Sequence, residues 1–422
     1  MNQSLEKKAS AVEIKQSRPL FTTLGMCILD DLYFPSGETK SRILGGSGVY
    51  SILGARLFSR NESAKRLSWL IRAGNAFPRE INDRLQVWGT DLIVEKGEGD
   101  EVQCTRGELR YFRGENEERG GDVEFGSKTY RYITGPYRIE PRHLTLYPHL
   151  LHSSTYHFLT SPLDTLAQVP ELLGLRYQPG IQTPPLIIWE PLPPTCKPSE
   201  LENLMNAIAV VDIFSPNHIE LANFFGLDMS TLVFSRYLIE ELGNKVMEWG
   251  IVRDKKGTVV IRCGPDGCCV WYRKQSKWVW IEPYWTAEDK KRVVDATGAG
   301  NAFLGGFAVG WERSGGDEIV GCVFGSVSAG VVCEAIGVPI LDRVGDVYGE
   351  NSRETWNGVD VEKRLEEYWQ RLVREGLVEG DLENLFWKQD LCSSGLLSVE
   401  CLDSLEQMRW RNFLSTGTCP TI

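Results

Sequence analysis

From Phe21 onward the chain alternates short apolar runs with amphipathic stretches, and this alternation limits the fold more than any other feature. Strand-like runs are read at Phe21–Leu29, Ser68–Ala73, Tyr130–Thr134, Tyr156–Thr160, Leu186–Trp189, Val210–Phe214, Val259–Cys263, Cys268–Tyr272 and Trp278–Ile281. Helical patterns lie between many of them, at Val49–Phe58, Arg79–Trp88, Glu200–Ala209, Ile219–Phe225 and Ser235–Trp249. Apolar strand cores separated by helices predict a mainly parallel sheet covered on both faces. Ligands in such folds sit at the carboxyl ends of the strands.

The 422 residues exceed one small domain and fit a large α/β domain with appendages, or two domains. The net charge of −11 argues against a general nucleic-acid surface, which needs clustered Lys and Arg. Much of the acidity lies after Asp342, so the main domain can still hold a positive pocket for a nucleotide. The first 18 residues are polar and are expected to be disordered. No secretory apolar segment is read at the start and no apolar run is long enough to span a bilayer, so a cytoplasmic protein is expected. The 11 cysteines are scattered, and the one cluster, Cys263, Cys268 and Cys269, lacks zinc-site spacing. They read as free thiols, buried or on the surface, in a reducing compartment.

Two segments break the alternation. Residues 32–44, and 101–124 with an Arg-rich stretch from Thr105 to Arg113, read as short polar strands with turns. They form either a small β lid beside the main sheet or a pair of surface hairpins. After Gly337 the character changes again. Val361–Glu375 is an amphipathic helix, and Glu383–Lys388 and Val399–Phe413 resemble two more. Trp356, Trp369, Trp387 and Trp410 give this region apolar anchors, for packing on the domain or on a partner. The expected organisation is a main domain over 19–345 and an acidic helical extension over 346–422.

The stretch Val293-Val294-Asp295-Ala296-Thr297-Gly298-Ala299-Gly300-Asn301 runs straight into an apolar helix. Small residues there let the backbone approach a ligand, and the first N–H groups of the helix point outward at its positive end. That is an anion hole, most often for phosphate. A dinucleotide-binding fingerprint would lie after the first strand and carry a third glycine where Phe303 stands. The Gly-x-x-x-x-Gly-Lys-Ser/Thr phosphate loop and the motifs of protein kinases are absent from the sequence.

Four further constellations carry chemistry. In Ser215-Pro216-Asn217-His218-Ile219-Glu220, Asn217 starts a helix with Glu220 three residues on. This is a capping box, a carboxylate for the water shell of Mg²⁺, or both. Gly45, Gly46 and Gly48 precede an apolar helix and let backbone approach a polar ligand, or simply turn the chain. Upstream, the apolar Gly25–Leu29 run ends in Asp30 and Asp31, which suit sugar hydroxyls or a loop start. Finally, Gly264 and Gly267 turn one apolar strand into the next, a hairpin signal.

The order of these elements resembles the plan of PfkB/ribokinase-type carbohydrate kinases, from about Phe21 to Gly337, with the branch named for maintenance of killer virus nearest. The resemblance implies a three-layer α/β/α domain with a small β lid, and transfer of the γ-phosphoryl of ATP to a small-molecule acceptor. Under it Asp30 binds substrate hydroxyls, and Gly45, Gly46, Gly48 and the Tyr50 position line the sugar site. Asn217 and Glu220 organise Mg²⁺ and phosphates. Gly264 and Gly267 lie near the nucleotide, as do Asp295 and Thr297, and Ser328, Ala329 and Cys333 flank the adenine. Gly298, Ala299 and Gly300 form the anion hole.

Three departures stand out. Asn301 replaces the catalytic aspartate, Tyr50 replaces a sugar-binding Asn, and Ala296 replaces a common Thr. An amide cannot take a proton, and a general base contributes roughly 10²–10⁴-fold. Positioning and electrostatics supply most of phosphoryl transfer, so a slow kinase remains one outcome. A kinase for an already ionised acceptor is a second. A pseudokinase that binds nucleotide or metabolite and acts through a protein partner or homodimer is the third.

Overall fold

The computed structural model describes residues 18–96, 104–113, 125–177, 181, 183–250, 257–344, 353–380 and 382. Its strands are β1 (Phe21–Thr23), β2 (Ile28–Tyr33), β3 (Thr39–Gly45), β4 (Leu67–Arg72), β5 (Asp91–Glu95), β6 (Arg106–Arg113), β7 (Phe125–Thr134), β8 (Thr155–Thr160), β9 (Leu186–Pro191), β10 (Ile213–Phe214), β11 (Thr258–Arg262), β12 (Cys268–Tyr272), β13 (Lys277–Ile281), β14 (Leu341–Val344) and β15 (Arg353–Trp356). The principal helices are α1 (Ser47–Arg56), α2 (Arg79–Gln86), α3 (Pro162–Tyr177), α4 (Leu201–Ala207), α5 (His218–Phe224), α6 (Arg236–Glu248), α7 (Ala299–Arg313), α8 (Glu318–Val332) and α9 (Val361–Arg374).

A nine-stranded sheet in the order β13-β12-β11-β10-β9-β8-β1-β4-β5 forms the middle layer. From β11 to β5 every pairing is parallel, and β12 and β13 close that edge as antiparallel strands. The central strands are apolar on both faces because both are covered. Along β9, Ile187 and Trp189 enter one core and Ile188 the other; along β11, Val259 and Ile261 oppose Val260. Helices α1, α7, α8 and α9 supply Ile52, Leu304, Val323 and Leu365 to the face of Ile188 and Val260, and α3, α5 and α6 supply Leu172, Leu221 and Ile239 to the face of Ile187 and Trp189. This is the three-layer α/β/α sandwich that the sequence led us to expect. No helix of the described residues is long and apolar enough to cross a membrane.

The lid is a separate four-stranded sheet, β3-β2-β6-β7. Two readings of the sequence change here. The Phe21–Leu29 run is not one strand: it breaks at Gly25, and β1 stays in the main sheet while β2 starts the lid. Tyr130–Thr134 belongs to the lid as the end of β7, not to the main sheet. Apolarity alone could not assign them: Phe21–Thr23 and Ile28–Leu32 are buried in different sheets, and Tyr130, Tyr132 and Ile133 are exposed although apolar. The lid therefore reaches from residue 28 to 134 in discontinuous pieces, beyond the expected 32–44 and 101–124.

Two helices fix the geometry of the site. A Cβ on Gly54 of α1 would overlap the Ala302 carbonyl of α7, and a Cβ on Gly305 of α7 would overlap the Ser51 carbonyl of α1. Glycine at both places lets the backbones touch. Ser328 of α8 donates from its hydroxyl to the Gly54 carbonyl at 3.1 Å and joins the third helix.

The chain after residue 352 also enters the core. Asp360 caps α9 by accepting from the Lys363 N–H, and Val361, Leu365, Tyr368, Trp369 and Leu372 form its buried stripe. Glu354 of β15 makes a bidentate pair with Arg56 of α1 at 2.8 Å for each bond, with both side chains buried. The expected helices 383–388 and 399–413 and most of the expected N-terminal disorder lie outside the described residues.

Burial alone would raise the Glu354 pKa, but Arg56 and Arg343 together hold it below its ordinary value of 4.5. A carboxyl lowered on folding stabilises the fold above its unfolded pKa and loses that contribution as pH falls through the folded one. Glu354→Ala is therefore expected to cost about 3–5 kcal/mol at pH 7 by leaving Arg56 unpaired, with the penalty shrinking below pH 4 in urea unfolding. Gly305→Ala is expected to cost at least ~1–3 kcal/mol in the same assay, because the clash is with backbone.

Candidate functional site

The turn before α7 is built as the sequence suggests. Asp295 is anchored through its N–H to the Cys333 carbonyl at 3.1 Å, and its Oδ1 accepts from the Thr297 N–H at 3.0 Å and the Thr297 hydroxyl at 2.7 Å. Gly298 then takes a left-handed φ of 79° and serves as N-cap of α7. The Ala299 N–H donates to the Ala296 carbonyl at 3.2 Å, and the N–H groups that follow it at the start of the helix lack intrahelical acceptors. Side chains press on this turn from two sides. A Cβ on Gly298 would overlap the ring of Tyr50, and one on Gly300 would overlap Nη1 of Arg262.

Arg262 closes β11 and lies under the turn, 8% exposed. Its Nη1 donates to Glu190 Oε1 at 2.8 Å, and its Nη2 to the Ser215 carbonyl at 2.9 Å and to Glu220 Oε2 at 3.4 Å. Its Nε has no hydrogen-bond partner among the described residues. The other oxygen of Glu190 accepts from the Asn301 amide at 2.5 Å and lies 3.4 Å from Nε2 of buried His157. The far side of that ring meets the Thr23 hydroxyl at 3.0 Å. Burial would raise the Glu190 pKa, but Arg262, His157 and Asn301 together hold it below the ordinary value. Burial pushes Glu220 up to about 7 despite Arg262, and Glu190 adds to the rise.

Asn217 and Glu220 form the full capping box of α5. Asn217 Oδ1 accepts from the Glu220 N–H at 2.8 Å, and Glu220 Oε2 accepts from the Asn217 N–H at 2.7 Å. Glu220 is thus cap and cluster member together. A Mg²⁺ ion does not fit between Glu190 and Glu220, because the guanidinium already bridges them. Among the described residues, no three His, Cys, Asp or Glu side chains gather as a metal group.

A second cluster of the sequence-derived positions lies at the start of α1. Gly46, at φ 96°, caps that helix, and a Cβ on Gly48 would overlap the Gly25 carbonyl, so β1, β2 and α1 meet in close backbone contact. Gly45 abuts Asp30. Asp30 is 8% exposed, and its Oδ1 has no hydrogen-bond partner among the described residues. Burial and the neighbouring Asp31 push its pKa up to about 7. Asp31 differs: it pairs with Arg106 and accepts from the Arg42 N–H at 3.0 Å. Gly107 of the lid leaves room for Asp30 and for the Tyr130 hydroxyl, which a Cβ there would meet at 2.6 Å. The lid bonds to the turn before α7: Tyr111 donates to Asp295 at 3.0 Å and Lys128 to Thr297 at 2.8 Å.

The remaining positions fall less neatly. Gly264 and Gly267 make the β11–β12 turn with φ of 56° and 83°. Beside it lies a cavity of about 520 Å³ lined by Pro265, Asp266, Glu282, Pro283, Thr286 and Arg371. Ser328 does not open onto this groove; its hydroxyl is spent on Gly54. Tyr284 covers Gly330, next to Ala329, and Trp285 donates to the Gly330 carbonyl at 3.0 Å. Cys333 is half-buried and holds the turn through its carbonyl. The other seven described cysteines are buried and free.

Glu190, Arg262, His157, Tyr111 and Lys128 were missed in the sequence. A signal existed for two of them: Ile187-Ile188-Trp189-Glu190 and Val259-Val260-Ile261-Arg262 each end an apolar run in a charge, at the end of the strand where ligands bind.

Sandwich and lid define a ribokinase-like fold. The ribokinase of Giardia lamblia superposes with a TM-score of 0.57 at 17% identity, over 76% of this chain and 94% of that one. A putative ribokinase II from E. coli, solved with ATP and Mg²⁺, superposes at 0.52 and 13%, over 84% and 99%. Residues 186–341 match the family model described as pfkB family carbohydrate kinase. It is 29% identical to an uncharacterized protein of Schizosaccharomyces pombe over 365 residues, 84% of this chain and 93% of that protein. It is 27% identical to protein MAK32 of Saccharomyces cerevisiae over 363 residues, again 84% and 93%.

Asp30 titrates higher in the fold than its ordinary 3.8, so folding retains a proton that unfolding releases. Stability is therefore lost as pH rises from about 4 through 7. Asp30→Asn is expected to stabilise the protein by roughly 1–3 kcal/mol at pH 8 and to match wild type near pH 3.5, read by thermal unfolding.

Proposed function

We propose that the chain is an atypical small-molecule kinase of carbohydrate type. ATP phosphates bind at the Gly298–Gly300 turn, and a hydroxylated acceptor binds at Asp30 under the lid. The γ-phosphoryl passes to the acceptor slowly, because position 301 offers no base. The observation that carries this reading is the buried Asp30 oxygen left without a partner, beneath lid strands that themselves bond to the phosphate turn. A buried acceptor atom left unpaired costs free energy, and a ligand hydroxyl supplies the missing donor. The family match and the E. coli neighbour solved with ATP support a nucleotide on the other side of the turn.

One observation favours a second reading, a nucleotide- or metabolite-binding pseudokinase acting through a protein partner. The Asn301 amide is tied to Glu190, which turns the 301 side chain into a structural donor.

Phosphate release from ATP to a panel of sugars, nucleosides and acidic metabolites separates the two. A kinase shows slow turnover that Asn301→Asp raises by about 10²-fold or more. The introduced carboxyl stands against Glu190, so it titrates above the ordinary range and the gain grows with pH. No turnover by either protein, with ATP binding intact, would establish the pseudokinase.

A further inference from the structure

We infer that Arg262 is a resident cation that takes the place of the divalent metal, so that this site binds a nucleoside triphosphate without Mg²⁺. This rests on the nucleotide reading above. Four observations carry it.

The guanidinium lies between two buried carboxylates, bonded to Glu190 and within 3.4 Å of Glu220. It lies directly under the anion hole, against Gly300, in a place that only glycine leaves open. Its Nε is buried and unpartnered among the described residues, so a donor is left over after the protein's own acceptors are counted. The long contact to Glu220 is the weakest of its bonds and the one most readily given up to a phosphate oxygen.

The charges agree with this exchange. An aspartate at 301 together with a divalent ion would add one net positive charge to the Glu190/Glu220 cluster. An asparagine at 301 together with arginine at 262 adds the same. The two residues thus balance each other on Glu190: the neutral amide of Asn301 stands 2.5 Å from one oxygen and the charged Arg262 2.8 Å from the other. Arginine is protonated at every working pH and presents several donors in a plane, which suits the charge neutralisation that a metal otherwise supplies to the β- and γ-phosphates.

Calorimetric titration of the full chain with ATP, in EDTA and in excess MgCl₂, tests this. We expect the affinity in EDTA to equal or exceed that in MgCl₂. Arg262→Gln should weaken binding in EDTA at least tenfold and let MgCl₂ restore part of it, because the two carboxylates are then free for the ion. Arg262→Lys, which keeps the charge, should keep binding independent of metal, and serves if the Gln variant fails to fold. Binding that requires MgCl₂ in the wild type overturns the inference and leaves the nucleotide reading standing. No ATP binding under either condition overturns both.

Discussion

The rest of the site depends on the contact between α1 and α7. Tyr50 rests on Gly298, Gly54 on Ala302, and Ser51 and Ala55 on Gly305, so the two helices run parallel in steady register. Their N-termini consequently lie side by side, at the end of the sheet where the parallel strands finish. Each N-terminus follows a glycine turn: Gly45–Gly48 before α1 and Gly298–Gly300 around the start of α7. Sequence distance between the two turns is large, yet one backbone-to-backbone seam makes them neighbours. A side chain at Gly54 or Gly305 would part the helices and separate the acceptor turn from the phosphate turn.

The two halves of the candidate site differ in how their charges are met. Around the start of α1, the buried Asp30 carboxylate under the lid has an oxygen without a partner among the described residues. Around the turn before α7 the charged groups meet one another, apart from Arg262 Nε and His157 Nε2, and the network runs from Thr23 through His157 and Glu190 to Asn301 and Arg262. Such a network is stiff, since removing any member strands a buried partner.

The fold was readable because strands buried on both faces leave continuous apolar runs, as at Leu186–Trp189 and Val259–Cys263. The turn before α7 and the Asn217/Glu220 capping box were readable because both are local, set by residues within a few positions of one another. What escaped depends on partners far apart in the chain. Glu190 and Arg262 carry no meaning singly, and their pairing is visible only once β9 and β11 flank β10. The break at Gly25 escaped because a run that changes sheet looks the same as a run that stays. The core role of Glu354 escaped because the region is acidic overall, and a single buried carboxylate is hidden among exposed ones.

The Arg56–Glu354 pair sets an order of events for the folding chain. Its members stand 298 residues apart. Arg56 lies in the helix that holds the acceptor turn, and its charge has no carboxylate partner in place until β15 has been made. During synthesis, the first helix of the site therefore carries an uncompensated cation into a forming core. Contacts of such long sequence separation close late and favour intermediates in proteins of this size. A chain that stops short of residue 354 leaves that charge stranded, so completion of the site waits on the arrival of a segment that touches no ligand.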